Sequence, residues 1–227
     1  MQEVIPVFVG YDVRESVAYH TFCQSVLSNS SQPVSFCPLA LNTLDGYKES
    51  HTDGSNAFIY SRFLVPQLTG FKGWAIFADG DMVCEADIAQ LWAMRNYRYA
   101  AMVVKHDYKT QHPVKYLGAK NDDYPRKNWS SLILWNCGHL SNRVLTADYV
   151  ARSEGKHLHR FEFIPEDQLG ELPKEWNWLV MEYPESPAKL YHYTIGTPCF
   201  PEYKDCQNSD LWHHHHSMVN AVETSTT

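Results

Sequence analysis

The chain has no basic excess. Across 227 residues, 19 Lys and Arg stand against 26 Asp and Glu, a formal charge of −7. A face for DNA or RNA needs the opposite sign, as does attraction to an anionic membrane surface, so both are excluded as main partners. No apolar run approaches the roughly 18 residues of a membrane span. The opening Met-Gln-Glu-Val-Ile-Pro has neither the basic start nor the apolar stretch of a secretory leader. There is no C-x-x-C pair. The six cysteines (Cys23, Cys37, Cys84, Cys137, Cys199, Cys206) are scattered, which reads as free, mostly buried thiols in the cytoplasm, with Cys199 and Cys206 able to pair only under oxidising conditions. No repeat or Gly/Ser/Pro-rich linker divides a length that fits one domain. What the chain does have is aromatic residues: 7 Trp, 14 Tyr and 10 Phe are too many for a disordered chain. One domain is expected over residues 1–212, followed over 213–227 by the His213–His216 run and a disordered tail.

Hydrophobic periodicity gives alternating elements. Strands are expected at Val4–Val9, Val34–Leu39, Trp74–Ala78, Ala100–Val104 and Ser131–Trp135. Helical spacing covers Arg14–Leu27 and Ala57–Leu68, the latter ending at Pro66, and Asp87 caps a short helix over Ile88–Met94. Alternation of this kind predicts an α/β fold with a mostly parallel central sheet flanked by helices. In such sheets the ligand crevice lies beyond the carboxyl ends of the strands.

The apolar run Trp74–Ala78 stops at Asp79-Gly80-Asp81. Two carboxylates one residue apart at the end of a core strand repel each other, and a cation relieves that repulsion. A hard divalent ion with oxygen ligands at about 2.0–2.5 Å is the natural occupant. Gly80 permits a turn tight enough for both side chains to face one point. The competing reading is a solvated Asp-Gly turn.

Four segments together are more specific than this loop. Ile76–Val83 resembles the strand-plus-DxD motif of GT-A fold glycosyltransferases, which use nucleotide sugars. Tyr60-Ser61-Arg62 resembles their Tyr-x-Arg segment. Asp167-Gln168, Leu172-Pro173 and Trp176-Asn177 resemble segments of glycosyltransferase family 8, and Tyr191–Pro198 is similar to its late His-Tyr-x-Gly-x-x-Pro element. They occur in family order from Gly10 to about Phe200.

The resemblance implies a Rossmann-like GT-A domain and a metal-dependent, retaining hexosyltransferase. It implies that Asp79, Asp81 and His192 hold Mn²⁺ or Mg²⁺ against the diphosphate of the donor. An imidazole in the set favours Mn²⁺; without the motif, His192 reads as a core histidine. Gly10, Tyr11 and Asp12 correspond to the loop receiving base and ribose, with Asp12 alternatively the N-cap of the following helix. Arg62 and Gly196 are implied on the donor, and Asn136 with Gly138 on the donor sugar, against the alternative that Asn136 only satisfies loop backbone groups. Gln168, beside Asp167, is implied at the reacting face, orienting or stabilising a front-face displacement; an inverting enzyme would need a general base such as Glu166 or Asp167.

The chain departs from the pattern where the family has a lysine before the late proline: Thr197 precedes Pro198, and Cys199 replaces an aromatic residue. Lys105, Arg126, Lys127 and Lys204 are therefore candidate donor or acceptor contacts. The expected donor is a nucleoside-diphosphate sugar, UDP-glucose or UDP-galactose, and the hydroxyl acceptor is left open among glycan, lipid and other molecules. Two other classes compete. A nucleotidyltransferase would carry a Gly-rich triphosphate loop, whereas Gly10-Tyr11-Asp12-Val13-Arg14 has one Gly. A non-catalytic nucleotide- or carbohydrate-binding module would not need the set of Asp79, Asp81, Gln168 and His192.

Overall fold

The computed structural model describes residues 3–52 and 56–221. Its strands are β1 (Ile5–Gly10), β2 (Val34–Leu39), β3 (Trp74–Ala78), β4 (Met82–Cys84), β5 (Ala101–Val103), β6 (Leu132–Asn136), β7 (Leu169–Glu171), β8 (Trp178–Leu179) and β9 (Leu190–His192). The α-helices are α1 (Ser16–Asn29), α2 (Val65–Leu68), α3 (Ile88–Trp92), α4 (Ala147–Arg152), α5 (Gly155–His159) and α6 (Ser209–Val219).

β3 lies in the middle of a six-stranded sheet of order β2-β1-β3-β6-β5-β7, and all of its residues are buried. A continuous apolar strand is what a sheet covered on both faces demands. Alternate residues point to opposite faces, so Phe8, Phe77, Ile133 and Trp135 belong to one core cluster and Val7, Val9, Ile76 and Leu134 to the other. Five strands run in one direction and only β6 is antiparallel to its neighbours. The mostly parallel α/β architecture expected from the sequence is therefore the observed one.

β4, β9 and β8 form a second, three-stranded sheet, with β9 antiparallel to β4 and parallel to β8. Against its residues Val83, Tyr191 and Tyr193 packs Trp212 of α6. This small sheet starts only three residues after β3 ends, so the Asp-Gly-Asp loop is the hinge between the two sheets.

Three expectations are corrected. Residues 57–68 form not one helix but a turn, a 3-10 segment Ser61–Leu64 and α2; Pro66 lies in the first turn of α2, where its missing N–H costs nothing, and so begins the helix instead of ending it. The His213–His216 run is not part of a tail but sits inside α6: His215 is buried and its Nε2 lies 2.6 Å from Glu85 Oε1, while His216 stacks on Trp212. Residues 222–227 of the expected tail lie outside the described residues. All six cysteines are free, but only Cys84 and Cys137 are buried, and Cys37 is exposed.

Because Trp212 is buried within the small sheet's core, α6 is an integral part of the domain. Trp212→Ala is expected to cost about 3–4 kcal/mol, read as a lower urea midpoint at unchanged m value.

Candidate active site

The carboxyl ends of the parallel strands meet at one edge, and register decides which side chains arrive there. Val9 of β1 pairs with Ala78 of β3, so Gly10 and Asp79 emerge side by side. A Cβ on Gly80 would run into the Gly10 carbonyl oxygen; the glycine is required by this close approach of two loops. Met82 pairs with His192 across β4 and β9, and the Tyr193 N–H donates to the Asp81 carbonyl at 2.9 Å. Two strands from distant parts of the sequence thus bring an imidazole to the second carboxylate.

Asp79, Asp81 and His192 are all buried, and their ligand atoms lie within 4.8 Å of one another. His192 Nε2 is 3.3 Å from Asp81 Oδ1 and 3.9 Å from Asp79 Oδ2. Its Nδ1 is 3.0 Å from Asn177 Oδ1, and the Asn177 carboxamide is itself held by donation to Ser131 Oγ at 2.8 Å. With Nδ1 engaged by Asn177, Nε2 is the ring atom that faces the carboxylates: as N–H it pairs with Asp81, and where a metal replaces that proton it is the ligand atom. Asp79 Oδ1 and Asp81 Oδ1 are buried and meet ion-pair partners, Arg62 Nη1 at 3.0 Å and His192 Nε2 at 3.3 Å, but neither contact has the geometry of a hydrogen bond. Two carboxylate oxygens and one imidazole nitrogen converging on a point, with orphaned lone pairs, fit a divalent cation with positions left open for a ligand.

The charges around this set are unusual. Burial pushes the Asp79 carboxyl up to about 6, opposed by Arg62 and reinforced by Asp81. Asp81 goes the other way: burial raises it, but His192 and Lys115 outweigh that and hold it below the usual range. Arg62 is buried, with its Nη1 3.0 Å from Asp79 Oδ1 and donating to the Ser130 carbonyl at 2.8 Å. Lys115 lines the same cleft and donates to Thr194 Oγ1 at 3.3 Å; burial of its ammonium lowers its pKa, opposed chiefly by Asp81. Behind it, Tyr116 donates to Glu15 Oε1 at 3.1 Å, and burial, with Asp81 nearby, raises the Glu15 carboxyl to about 8.

The cavity at the carboxylates measures ≈ 60 Å³. It shares Lys115 and Tyr116 as walls with a neighbouring cleft of ≈ 460 Å³, lined further by Phe200 and Tyr203. It shares Ile59, Tyr124 and His159 with a second cleft of ≈ 240 Å³. The metal set is therefore flanked by a cleft on each of two walls.

The structure separates the remaining sequence candidates. Gly10 emerges beside Asp79 and its carbonyl packs against Gly80, while Tyr11 meets Tyr19 edge-on at 5.6 Å; neither is among the residues lining the cavity at the carboxylates. Asp12 accepts from the backbone N–H groups of Arg14 at 2.9 Å and Ala57 at 3.0 Å, so the capping role is realised. Gly196 is buried where a side chain would strike the Tyr203 ring. Asn136 and Gly138 are at the wrong end: β6 is antiparallel, Asn136 pairs with Trp74, and five residues of β3 separate that level from Asp79, about 16 Å. Residues before β6, not after it, reach the site: Ser131 O accepts from Asp79 N at 2.9 Å, and Asn128 and Ser130 line the cavity. Gln168 and the exposed Asp167 precede β7, which is parallel, so they too lie at the amino edge. The expectation that Asn136, Gly138, Asp167 and Gln168 touch the donor at this metal set is thereby overturned.

The cations fare similarly. Lys204 is exposed beside Asp205 at 3.5 Å, and Lys127 is spent on Asn121 Oδ1 at 2.8 Å and the Asp122 carbonyl at 3.0 Å. Arg126 pairs with Glu166 at 2.6 Å, and Lys105 lies 4.0 Å from the same carboxylate. Sequence reasoning missed Lys115, His159 and Asn128. Asn177 did have a signal, since Trp176-Asn177 belongs to the quoted motif; Lys115, in a loop without pattern, had none.

Two predictions follow from this geometry. Asn177→Ala leaves the His192 ring unanchored, and Mn²⁺ affinity measured by calorimetry is expected to fall about 10- to 100-fold. His106, 2.8 Å from the Tyr183 hydroxyl, is pushed down to about 3 by burial, with His192 and Lys174 adding. A histidine lowered on folding is protonated first in the unfolded chain, so it withdraws stability as pH falls below about 6.5. The deficit of His106→Gln relative to wild type should accordingly shrink by about 2 kcal/mol between pH 7 and pH 5, measured by urea melts at each pH.

Known proteins were compared with this chain. No family model matches it. Among solved structures, it is similar to the apo bifunctional glycosyltransferase WbbM (TM-score 0.68, 14% identity, 96% of this chain and 50% of that one). It is also similar to the glycosyltransferase GlyE of Streptococcus pneumoniae (0.63, 13%, 95% and 61%) and to the galactosyltransferase LgtC (0.57, 10%, 97% and 98%). The chain thus spans half the length of WbbM and less than two thirds of GlyE, and these likenesses establish the GT-A type fold. In sequence it is 40% identical over 216 residues to Protein CDI of Arabidopsis thaliana, covering 91% of this chain and 83% of the relative. At that identity and coverage, the chain belongs to the family of Protein CDI.

Proposed function

We propose that the protein is a metal-dependent glycosyltransferase that moves a hexose from a nucleoside-diphosphate sugar, UDP-glucose or UDP-galactose, to a hydroxyl acceptor. The observation that carries this reading is the buried Asp79, Asp81 and His192 set in a cavity flanked by two clefts, on a fold shared with glycosyltransferases. Its sequence motifs resemble those of glycosyltransferase family 8.

A divalent ion held there, Mn²⁺ in preference to Mg²⁺ because of the imidazole, neutralises charge on the departing diphosphate. Asp79, Asp81 and His192 hold it, Asn177 fixes the His192 tautomer, and Arg62 keeps Asp79 ionised and aimed. Lys115 supplies the second positive charge to the diphosphate, replacing the lysine missing before Pro198. Gly10, Tyr11 and Asp12 border the nucleoside, with Tyr11 offering its ring to the base. Apart from Asp79 and Asp81, the described residues lining the cavity include no carboxylate. That supports retention by front-face displacement: the bond from C1 to the β-phosphate oxygen breaks, C1 bonds to the acceptor oxygen on the same face, and the acceptor proton passes to the leaving phosphate. Asn128 and His159 are placed to orient the sugar; burial, with Arg62 adding, pushes His159 down to about 3, so it acts as a neutral hydrogen-bonding group. Six free thiols suit a cytoplasmic setting.

The test is nucleoside-diphosphate release from a panel of UDP- and GDP-sugars with Mn²⁺ or with EDTA. Release should require the metal, vanish in Asp81→Ala, and fall about 10²-fold in kcat in Lys115→Ala. Full activity in EDTA would defeat the proposal, and pyrophosphate release from UTP and a sugar phosphate would replace it with nucleotidyl transfer. An equatorial product linkage from an axial donor, seen by NMR of the anomeric proton, would overturn retention.

A further inference from the structure

Three residues that the sequence motifs single out, Asn136, Gly138 and Gln168, are absent from the metal groove, yet they meet elsewhere. They line a separate cleft of ≈ 610 Å³ at the amino edge of the main sheet, beside Trp74, Tyr97 and Ser141. Its chemistry is specific. Ser141 Oγ donates to Gln168 Oε1 at 2.6 Å, which pins the carboxamide and leaves Nε2 without a partner among the described residues. Asn136 Nδ2 donates to the Tyr99 carbonyl at 3.1 Å, which pins that carboxamide the other way and leaves Oδ1 without a hydrogen bond. One wall therefore presents an anchored donor and another an anchored acceptor. Both amides are held by the protein, so their orientation is already fixed before a ligand arrives.

Tyr97 adds a flat surface. Its side chain is 75% exposed and stands edge-on to Trp74 at 5.5 Å, an arrangement that leaves the ring available at the cleft. Gly138 offers no side chain there; a Cβ would be in van der Waals contact with Gly73 N at 3.8 Å and with Asn136 Oδ1 and the Phe71 carbonyl oxygen at 3.9 Å. No Asp, Glu, Lys or Arg lines the cleft among the described residues. A ring face for C–H groups, a fixed amide donor, a fixed amide acceptor and no formal charge match a neutral pyranose, whose vicinal hydroxyls each donate and accept. A nucleotide or phosphate would find no Lys or Arg, and the cleft's histidine, His139, already accepts from the Ser141 N–H through Nδ1 at 3.2 Å.

We propose that this cleft is a second, metal-independent saccharide-binding site for neutral sugars, formed by Tyr97, Asn136 and Gln168. It does not depend on the activity proposed for the groove at the opposite edge.

The experiment is saturation-transfer NMR of the full chain with maltose, cellobiose, lactose and mannobiose, in EDTA so that the metal centre is silent. Wild type and Asp81→Asn should bind at least one disaccharide equally, in the millimolar range. Tyr97→Ala changes an exposed side chain and should weaken that binding about tenfold or more while leaving nucleoside-diphosphate release unchanged; Gln168→Leu should weaken it similarly. Absence of binding by all four sugars overturns the proposal. So does binding that survives both cleft variants, or binding that disappears in Asp81→Asn, which would assign it to the metal groove. Failure of donor turnover with sugar binding intact would count against the proposed transferase and not against this site.

Discussion

The structure turns on two carboxylates that emerge from a fully buried strand of the sheet and stay buried. An ionised carboxylate removed from water is costly unless paired, and two of them one residue apart are worse. The fold answers with Arg62 against Asp79 and His192 against Asp81, and with Lys115 nearby, yet buried oxygens on both side chains still accept no hydrogen bond. The small sheet exists at that point to supply the imidazole, and the loop before β6 supplies the carbonyls and amides that orient the partners. Most features of the site can be read as responses to that one electrostatic problem.

How much of this was legible in the sequence depends on direction. β3 and the Asp-Gly-Asp loop could be read from an apolar run that stops at two charges, and β1 and β3 obey the rule that the site follows the carboxyl end. Asn136 was misplaced because nothing in Leu132–Asn136 reveals that this one strand runs backwards; an apolar strand looks the same in either direction. Gln168 was misplaced for the complementary reason, lying before a parallel strand instead of after it. Pro66 illustrates a third failure: proline is compatible with the first turn of a helix and incompatible with its interior, so its position gives a boundary but not which one. Lys115 lies in an irregular loop, and only tertiary folding shows where its ammonium goes.

The net negative charge acquires a more local meaning. The acidic excess is spread over the surface, while Arg62, Lys115 and His192 gather around Asp79 and Asp81. An overall sign excludes polyanionic partners because they sample the whole surface, but a diphosphate samples one groove. The four candidate cations, Lys105, Arg126, Lys204 and the buried Lys127, are engaged with or lie beside neighbouring acids or carbonyls, which is the ordinary fate of charges in an acidic protein.

The pairing of β4 with β9 also sets an order of events during synthesis. Asp81 leaves the ribosome 111 residues before His192 (192 − 81), and α6 follows later still. Until β9 docks, the nascent chain holds a pair of carboxylates with no imidazole, and closing that contact requires a long loop to be ordered first. Assembly of the three-ligand set therefore waits for β9, and a chain that stops before it presents the two carboxylates without their imidazole.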